Sequence, residues 1–282
     1  MFEFKDDLEI ILKTLDMSLR DFADELYFDA PTVSNWLTGK KMPDRRSKED
    51  VYSYAFDNRV YINRAHEEPL YNLSKKQGFT LLFHGSRRGL NGDIDIAMSK
   101  INNDFGRGFY MGETLEQSAT FVSEADDPKV YGFGIYTDGL NVVKHEINLD
   151  WMLSIAYYRG KLDEYKSSEK LKKIININDG ADLIIAPITD NRMFDIIDEF
   201  IEGRITDVAC MNALAALDLG NQYVLKTKKA ISKLGMIREF YLCNSEKEHY
   251  RKRRNELNGE RSKRIKSFRS QYREGSYIED IL

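Results

Sequence analysis

The stretch that most restricts how this chain can fold is 79–121, FTLLFHGSRRGLNGDIDIAMSKINNDFGRGFYMGETLEQSATF. Residues 79–83 form a short apolar run rich in aromatic and branched side chains. They read as a buried strand that ends at His84-Gly85-Ser86. A polar cluster at a strand end is well placed to meet a ligand. The second block, Asp104-Phe105-Gly106-Arg107-Gly108-Phe109-Tyr110, carries two glycines two residues apart, which signals close backbone approach. Helical spacing follows from Glu113 to Val122, so the order is strand, loop, strand, helix.

At 282 residues the chain exceeds one typical domain, which predicts an accessory module beside one main domain. Hydrophobic residues at 42% and aromatics at 12% supply real cores, and a charged fraction of 31% implies a heavily solvated surface, which excludes a disordered chain. The net charge of −4 does not decide for or against nucleic acid, because the basic residues gather near the C-terminus. Cys210 and Cys243 lack zinc spacing, and His66, His84, His145 and His249 are scattered, so no metal site is expected. No secretory leader pattern and no membrane-length apolar run occurs, and the expectation is cytoplasmic residence with free thiols and no membrane contact.

Residues 7–46 predict helices broken by tight turns. Leu8, Ile11, Leu12 and Leu15 line one face, Ser18 is an N-cap, and a third helix begins near Pro31 and stops at Gly39. Residues 47–78 read as a helical linker closed by Lys75-Lys76-Gln77-Gly78. The main domain is expected at 79–245 and a basic arm at 246–282. Within the main domain 131–137 reads as a strand, with Asp138-Gly139 as a hairpin turn into 140–147. Gly132 and Gly134 are not a dinucleotide fingerprint, since no third glycine or helix follows, and are assigned to strand twist. A buried strand is expected within 180–187, helices at 191–202 and 206–217, and strands at 222–227 and 237–242.

Taken singly, His84 is as readily a core histidine, Tyr110 and Phe121 core aromatics, and Ser118 a surface helix residue. In this order and spacing they resemble the signature of the ADP-ribosyltransferase superfamily, in its branch containing the poly(ADP-ribose) polymerases and diphtheria toxin. That resemblance implies an α+β fold with a split β-sheet, and NAD as substrate without a metal. It implies that His84 bonds the adenosine ribose, with Ser86 completing the motif, and that the Gly85 backbone reads the nicotinamide carboxamide. It further implies that Tyr110 and Phe121 sandwich the nicotinamide ring and that Ser118 bonds its amide. The family usually has Tyr where Phe121 stands. Its third motif usually carries Glu, where this chain has Gln222. Such His-Tyr-Gln motifs occur in bacterial branches, many linked to toxin–antitoxin systems. The resemblance therefore implies a mono-ADP-ribosyltransferase that acts on protein, DNA or RNA and builds no polymer. Gln222 can hydrogen-bond a ribose hydroxyl but cannot deprotonate an acceptor. The acceptor is then either intrinsically nucleophilic or activated by another residue near the cleft, for which Asp104 and Glu113 are the nearest candidates in sequence, although both read more readily as solvated loop charges.

The segment MSLRDFADELYFDAPTVSNWLTGKKMP resembles the helix-turn-helix of the phage-repressor-like family, with Leu19, Phe22, Ala23, Leu26, Val33 and Trp36 as its core. That resemblance implies that Thr32, Ser34 and Asn35 face DNA, with Lys40 and Lys41 near phosphates. The absence of Arg, Lys and Gln from the recognition helix, and the acids Asp21, Asp24 and Glu25 before it, leave open a dimerisation or antitoxin-docking role instead. The arm, with Arg251 to Arg254, Arg261, Lys263, Arg264, Lys266, Arg269 and Arg273 beside Phe268 and Tyr272, fits nucleic acid, an acidic partner or a solvated helix. Two rivals stand beside the transferase: a catalytically silent, NAD-sensing transcriptional regulator, and a nucleic-acid-tethered interaction protein with a vestigial cleft.

Overall fold

The structure, a computed structural model, describes residues 4–189, 191–215, 220–256 and 274–282. It divides into two compact units: Met1–Gly89, Leu115–Gly134 and Gly235–Arg253 form the first, and Leu90–Thr114, Ile135–Leu234 and Arg254–Leu282 the second. These units cut the chain differently from the four segments laid out above. Together the described residues make an α+β protein with an N-terminal helical region and mixed strand pairing.

The first unit begins with α1 (Phe4–Leu15), α2 (Leu19–Glu25), α3 (Ala30–Leu37), α4 (Arg45–Asp57) and α5 (Ile62–Gln77). Leu8, Ile11 and Leu12 of α1 are buried against Phe22, Ala23, Val33 and Trp36, while Leu19 and Leu26 are half-buried against the same cluster. Local chemistry sets the ends. The Ser18 hydroxyl accepts from the Asp21 amide at 3.1 Å, the Asp44 carboxylate accepts from the Ser47 amide at 2.8 Å, and Gly78 ends α5 at φ +74°. The strands of this unit are β1 (Thr80–Ser86), β3 (Lys129–Ile135) and β7 (Leu234–Tyr241), in the order β1-β3-β7, with α6 (Leu115–Val122) packed on β1.

Segment 47–78 forms most of α4 and all of α5, which pack on α1 and β7 through one buried acid. Asp7 of α1 is 1% exposed and accepts from Tyr52 at 2.6 Å, His66 at 2.5 Å and Arg238 at 2.8 Å. One carboxylate thus binds α4, α5 and β7, and a buried acid with three donors is the arrangement that offsets its desolvation. Gly132 and Gly134 both sit in tight packing contacts. A Cβ on the first would lie 3.1 Å from the Phe240 ring, and one on the second 2.9 Å from the Phe79 ring.

The second unit pairs β4 (Val142–Lys144), β5 (Leu183–Pro187), β6 (Asn221–Leu225) and β2 (Phe109–Gly112) in that order. Here the sequence expectation of a hairpin fails. Residues 137–140 do turn, with the Leu140 amide donating to Thr137 at 3.1 Å, but β4 pairs in parallel with β5, Val142 opposite Leu183. Leu183, Ile184 and Ala186 are buried, so β5 needs ladder partners on both edges, and β6 supplies only one of them. Asp182 ties the strand ends together, accepting from the Asn141 amide at 2.9 Å and from Thr227 and Lys229 at 2.7 Å. These donors, Lys229 foremost, hold its carboxyl down at about 2.

Around these strands lie α7 (Leu149–Tyr158), α8 (Glu169–Asn176), α9 (Asn191–Ile201), α10 (Asp207–Ala215) and α11 (Lys228–Ile231). Residues 151–156 of α7 are all buried, as befits a helix apolar all round. A helix over 244–256, α12, sends Arg251 to the Ser123 carbonyl at 2.7 Å and Arg253 to Glu116 at 2.6 Å, so part of the expected basic arm is anchored. The remaining basic positions from Arg261 to Arg273, with Phe268 and Tyr272, lie outside the described residues, as does the end of the helix expected to reach Leu217. The last helix, α13 (Ile278–Ile281), buries Ile278 in the core of the second unit. Among the described residues no helix is long and apolar enough to cross a membrane.

Glu246 of α12 is buried in the first unit and accepts from Asn63 at 2.7 Å and Tyr250 at 3.2 Å. Burial pushes its carboxyl up from the ordinary 4.5 to about 7. A raised carboxylate pKa means that the folded state holds the proton better than the unfolded one. Stability is therefore fully present below the ordinary value and is lost as pH rises through the folded one. Glu246→Gln should flatten this fall, worth about 3 kcal/mol for the isolated group, and urea titrations at acid and neutral pH check it. An equal pH dependence in both proteins would refute the assignment.

Candidate functional site

In the first unit the His84-Gly85-Ser86 cluster forms the half-buried end of β1. The Ser86 hydroxyl donates to the Gly89 carbonyl at 2.8 Å, closing a turn that presents Arg87 and Arg88. Helix α6 lies directly over Gly85. A Cβ there would stand 2.5 Å from the Ser118 carbonyl oxygen and 2.9 Å from Val122 Cγ1, so no other residue admits this approach. The Ser118 side chain is buried and donates to the Phe83 carbonyl at 2.8 Å. Its proton is thereby used, and its oxygen lone pairs remain as acceptors. One turn further along, Phe121 is 66% exposed with the Arg87 guanidinium 5.9 Å from its ring centre. The structure thus brings Gly85, Ser118 and Phe121 together by packing one helix on one strand end.

In the second unit Tyr110 and Gln222 lie on neighbouring strands. Tyr110 pairs with Val224 and Gly112 with Gln222, which puts Tyr110 and Gln222 on one face as diagonal neighbours. The two glycines before them do different jobs. Gly106 adopts φ +68°, and a Cβ on Gly108 would meet Val224 Cγ1 at 2.5 Å. The Tyr110 hydroxyl closes the same loop, donating to the Gly106 carbonyl at 2.7 Å and accepting from the Phe105 amide at 3.1 Å. Burial raises its pKa far above the usual phenol range. The ring is therefore a fixed wall rather than an acid or base.

Gln222 is 7% exposed, and its Nε2 donates to Asp104 Oδ2 at 2.9 Å and to the Pro187 carbonyl at 3.1 Å. Asp104, expected to be a solvated loop charge, is 6% exposed. Its Oδ1 accepts from Arg159 Nη2 at 2.6 Å and Nε at 3.0 Å, and its Oδ2 from the Thr189 hydroxyl. Glu113 departs from expectation in the same way: half-buried, it accepts from the Asn221 amide at 2.9 Å and from Asn221 Nδ2 at 3.1 Å. The two acids flank β2, and their donors come from β6, with Arg159 at the end of α7 and Thr189 added for Asp104. Lys226 completes the group. Its ammonium donates to the Phe105 and Arg107 carbonyls, and burial lowers it to about 8.

Arg159, Thr189 and Lys226 were not singled out from sequence. Only Lys226 carried a signal, since 222, 224 and 226 share one face of a strand. In the helical region Ser34, Lys40 and Lys41 are exposed while Thr32 and Asn35 are half-buried, and Asp21, Asp24 and Glu25 are exposed too. Tyr27, in the turn between α2 and α3, is 96% exposed.

In comparison with known families, the family described as "Protein of unknown function (DUF3990)" matches residues 80–236, more than half of the chain. No curated protein and no solved structure gave a match.

The contact under α6 is testable without any ligand. Gly85→Ala should lower unfolding free energy by about 1–3 kcal/mol, the usual cost of forcing a methyl group into a closed contact. Gly235→Ala, where a Cβ meets nothing within 4 Å, should stay within about 0.5 kcal/mol of the parent. Chemical denaturation of the three proteins decides it, and equal midpoints would contradict the packing of α6 on β1.

Proposed function

The chain belongs to the DUF3990 family, and we propose that it is an NAD-dependent mono-ADP-ribosyltransferase. The observation that carries this is the pairing of a glycine-tight strand end with an exposed aromatic. Helix α6 closes on Gly85 and buries Ser118, yet leaves Phe121 open to solvent. A ring left open beside backbone polar groups suits a flat cationic heterocycle such as nicotinamide.

In this assignment the first unit supplies His84 for the adenosine ribose, with Ser86 closing the turn after it. The Gly85 backbone serves the carboxamide, Ser118 accepts from the carboxamide N–H, and Phe121 stacks on the ring. For the second unit, the resemblance assigns Tyr110 to the nicotinamide ring and Gln222 as hydrogen-bond acceptor for the nicotinamide ribose. The N-glycosidic bond breaks with its electron pair passing to the ring nitrogen. Nicotinamide then leaves as a neutral base, and the acceptor nucleophile bonds C1′ while its proton goes to solvent. A cationic leaving group needs no general acid, so orientation and exclusion of water are the contributions asked of these residues. With Gln222 in place of a carboxylate no chain elongation is expected, and the acceptor must itself be nucleophilic: a carboxylate, a phosphate or a nucleobase.

The helical region is assigned to a partner. Exposed Ser34, Lys40 and Lys41 support DNA, whereas exposed Asp21, Asp24 and Glu25 with Tyr27 support an antitoxin-type protein. The exposed acids of the helix before α3 weigh toward the protein, in a toxin–antitoxin or phage-defence setting.

Adenylate-labelled NAD added to purified protein with lysate split into protein, DNA and RNA fractions should label one fraction and release nicotinamide. Phe121→Ala should reduce labelling about 10-fold, the typical worth of one stacked ring, with an unchanged urea midpoint because the ring is exposed. Tyr110→Ala should abolish it. Saturable NAD binding without nicotinamide release would replace the transferase by an NAD-sensing regulator, and no NAD binding would remove both.

A further inference from the structure

A glutamine amide is nearly symmetric in shape, so which end it presents is decided by the groups around it. Around Gln222 both amide hydrogens are committed, one to Asp104 Oδ2 at 2.9 Å and one to the Pro187 carbonyl at 3.1 Å. The flipped amide would set its carbonyl oxygen against a carboxylate and a second carbonyl, which two acceptors side by side forbid. Oε1 is the end left over, and among the described residues it accepts no hydrogen bond.

Asp104 cannot swing away from this task. Arg159 grips its other oxygen through both Nε and Nη2, the guanidinium itself lies over the Phe194 ring at 3.1 Å, and the Thr189 hydroxyl fills the remaining side. Because Arg159 balances its charge, what Asp104 lends to Gln222 is direction rather than field.

We propose that Asp104 is a positioning residue that locks the Gln222 amide with its acceptor oxygen toward the ligand, so that a glutamine can stand where the resembled enzymes carry glutamate. That the oxygen then holds a ribose hydroxyl of NAD rests on the transferase assignment; the orientation of the amide does not. Asp104→Asn makes the point sharply. The new side chain keeps an oxygen for Arg159 and turns its amide hydrogens toward Gln222, which must flip and present a donor instead.

The test uses the full chain labelled with nitrogen-15 glutamine, the Gln222 side-chain resonances being identified by their loss in Gln222→Met. In the parent both amide protons should be shifted by hydrogen bonding and slow to exchange with solvent, and Asp104→Asn should abolish that signature. Nicotinamide release should fall in kcat on the order of 100-fold in Asp104→Asn, as for a misplaced catalytic group, with little change in KM for NAD. The exchanged pair Asp104→Asn/Gln222→Glu, which restores an outward oxygen, should recover most of it. An unchanged amide signature in Asp104→Asn overturns the proposal, as does an exchanged pair as slow as Asp104→Asn alone. If the parent releases no nicotinamide, the transferase assignment fails, and the amide signature alone decides the positioning.

Discussion

A carboxylate taken out of water must be met by donors from wherever the chain can bring them, and in this protein that requirement organises the second unit around Asp104. Its partners come from the end of α7, from the residues after β5 and from β6, at sequence separations of 55, 85 and 118 residues. Losing any one donor would leave a buried charge short of a partner, an outcome that costs several kcal/mol in comparable settings. The loop that begins at Asp104 is therefore fixed before any ligand arrives. Asp7 does the same in the first unit, drawing α4, α5 and β7 onto α1.

Most polar groups in the signature positions are already satisfied within the protein. The Tyr110 hydroxyl closes its own loop, the Ser118 proton goes to Phe83, and both Gln222 amide protons are bound. What remains for a ligand is a set of acceptors, a fixed phenol ring and an exposed phenyl ring. Such an inventory is poor in acids and bases and rich in orientation. Under the transferase proposal, in which the leaving group departs unassisted, rigidity rather than titration is what these residues contribute.

The glycines show the same economy at the level of the backbone. Gly85 and Gly108 are needed for what a Cβ would strike, and Gly106 for its φ of +68°. A spaced glycine pair thus reports two separate constraints that happen to be close in sequence. Lys226 then pins the same loop by two of its carbonyls, so the turn is held from both sides.

The sequence by itself determined the elements whose causes are local. These include the N-cap at Ser18, the glycine stop at Gly78, the apolar faces that bury Phe22, Val33 and Trp36, and the strand that ends in His84-Gly85-Ser86. Tertiary structure alone decided the rest. The turn at Asp138-Gly139 was legible, but the partner of β4 was not, because a turn is chosen by a few dihedrals whereas strand pairing is chosen by which buried edge still lacks hydrogen bonds. The burial of Asp104 was equally hidden. A lone Asp before Phe-Gly looks solvated until an arginine, a threonine and a glutamine, none of them near it in sequence, are folded onto its two oxygens.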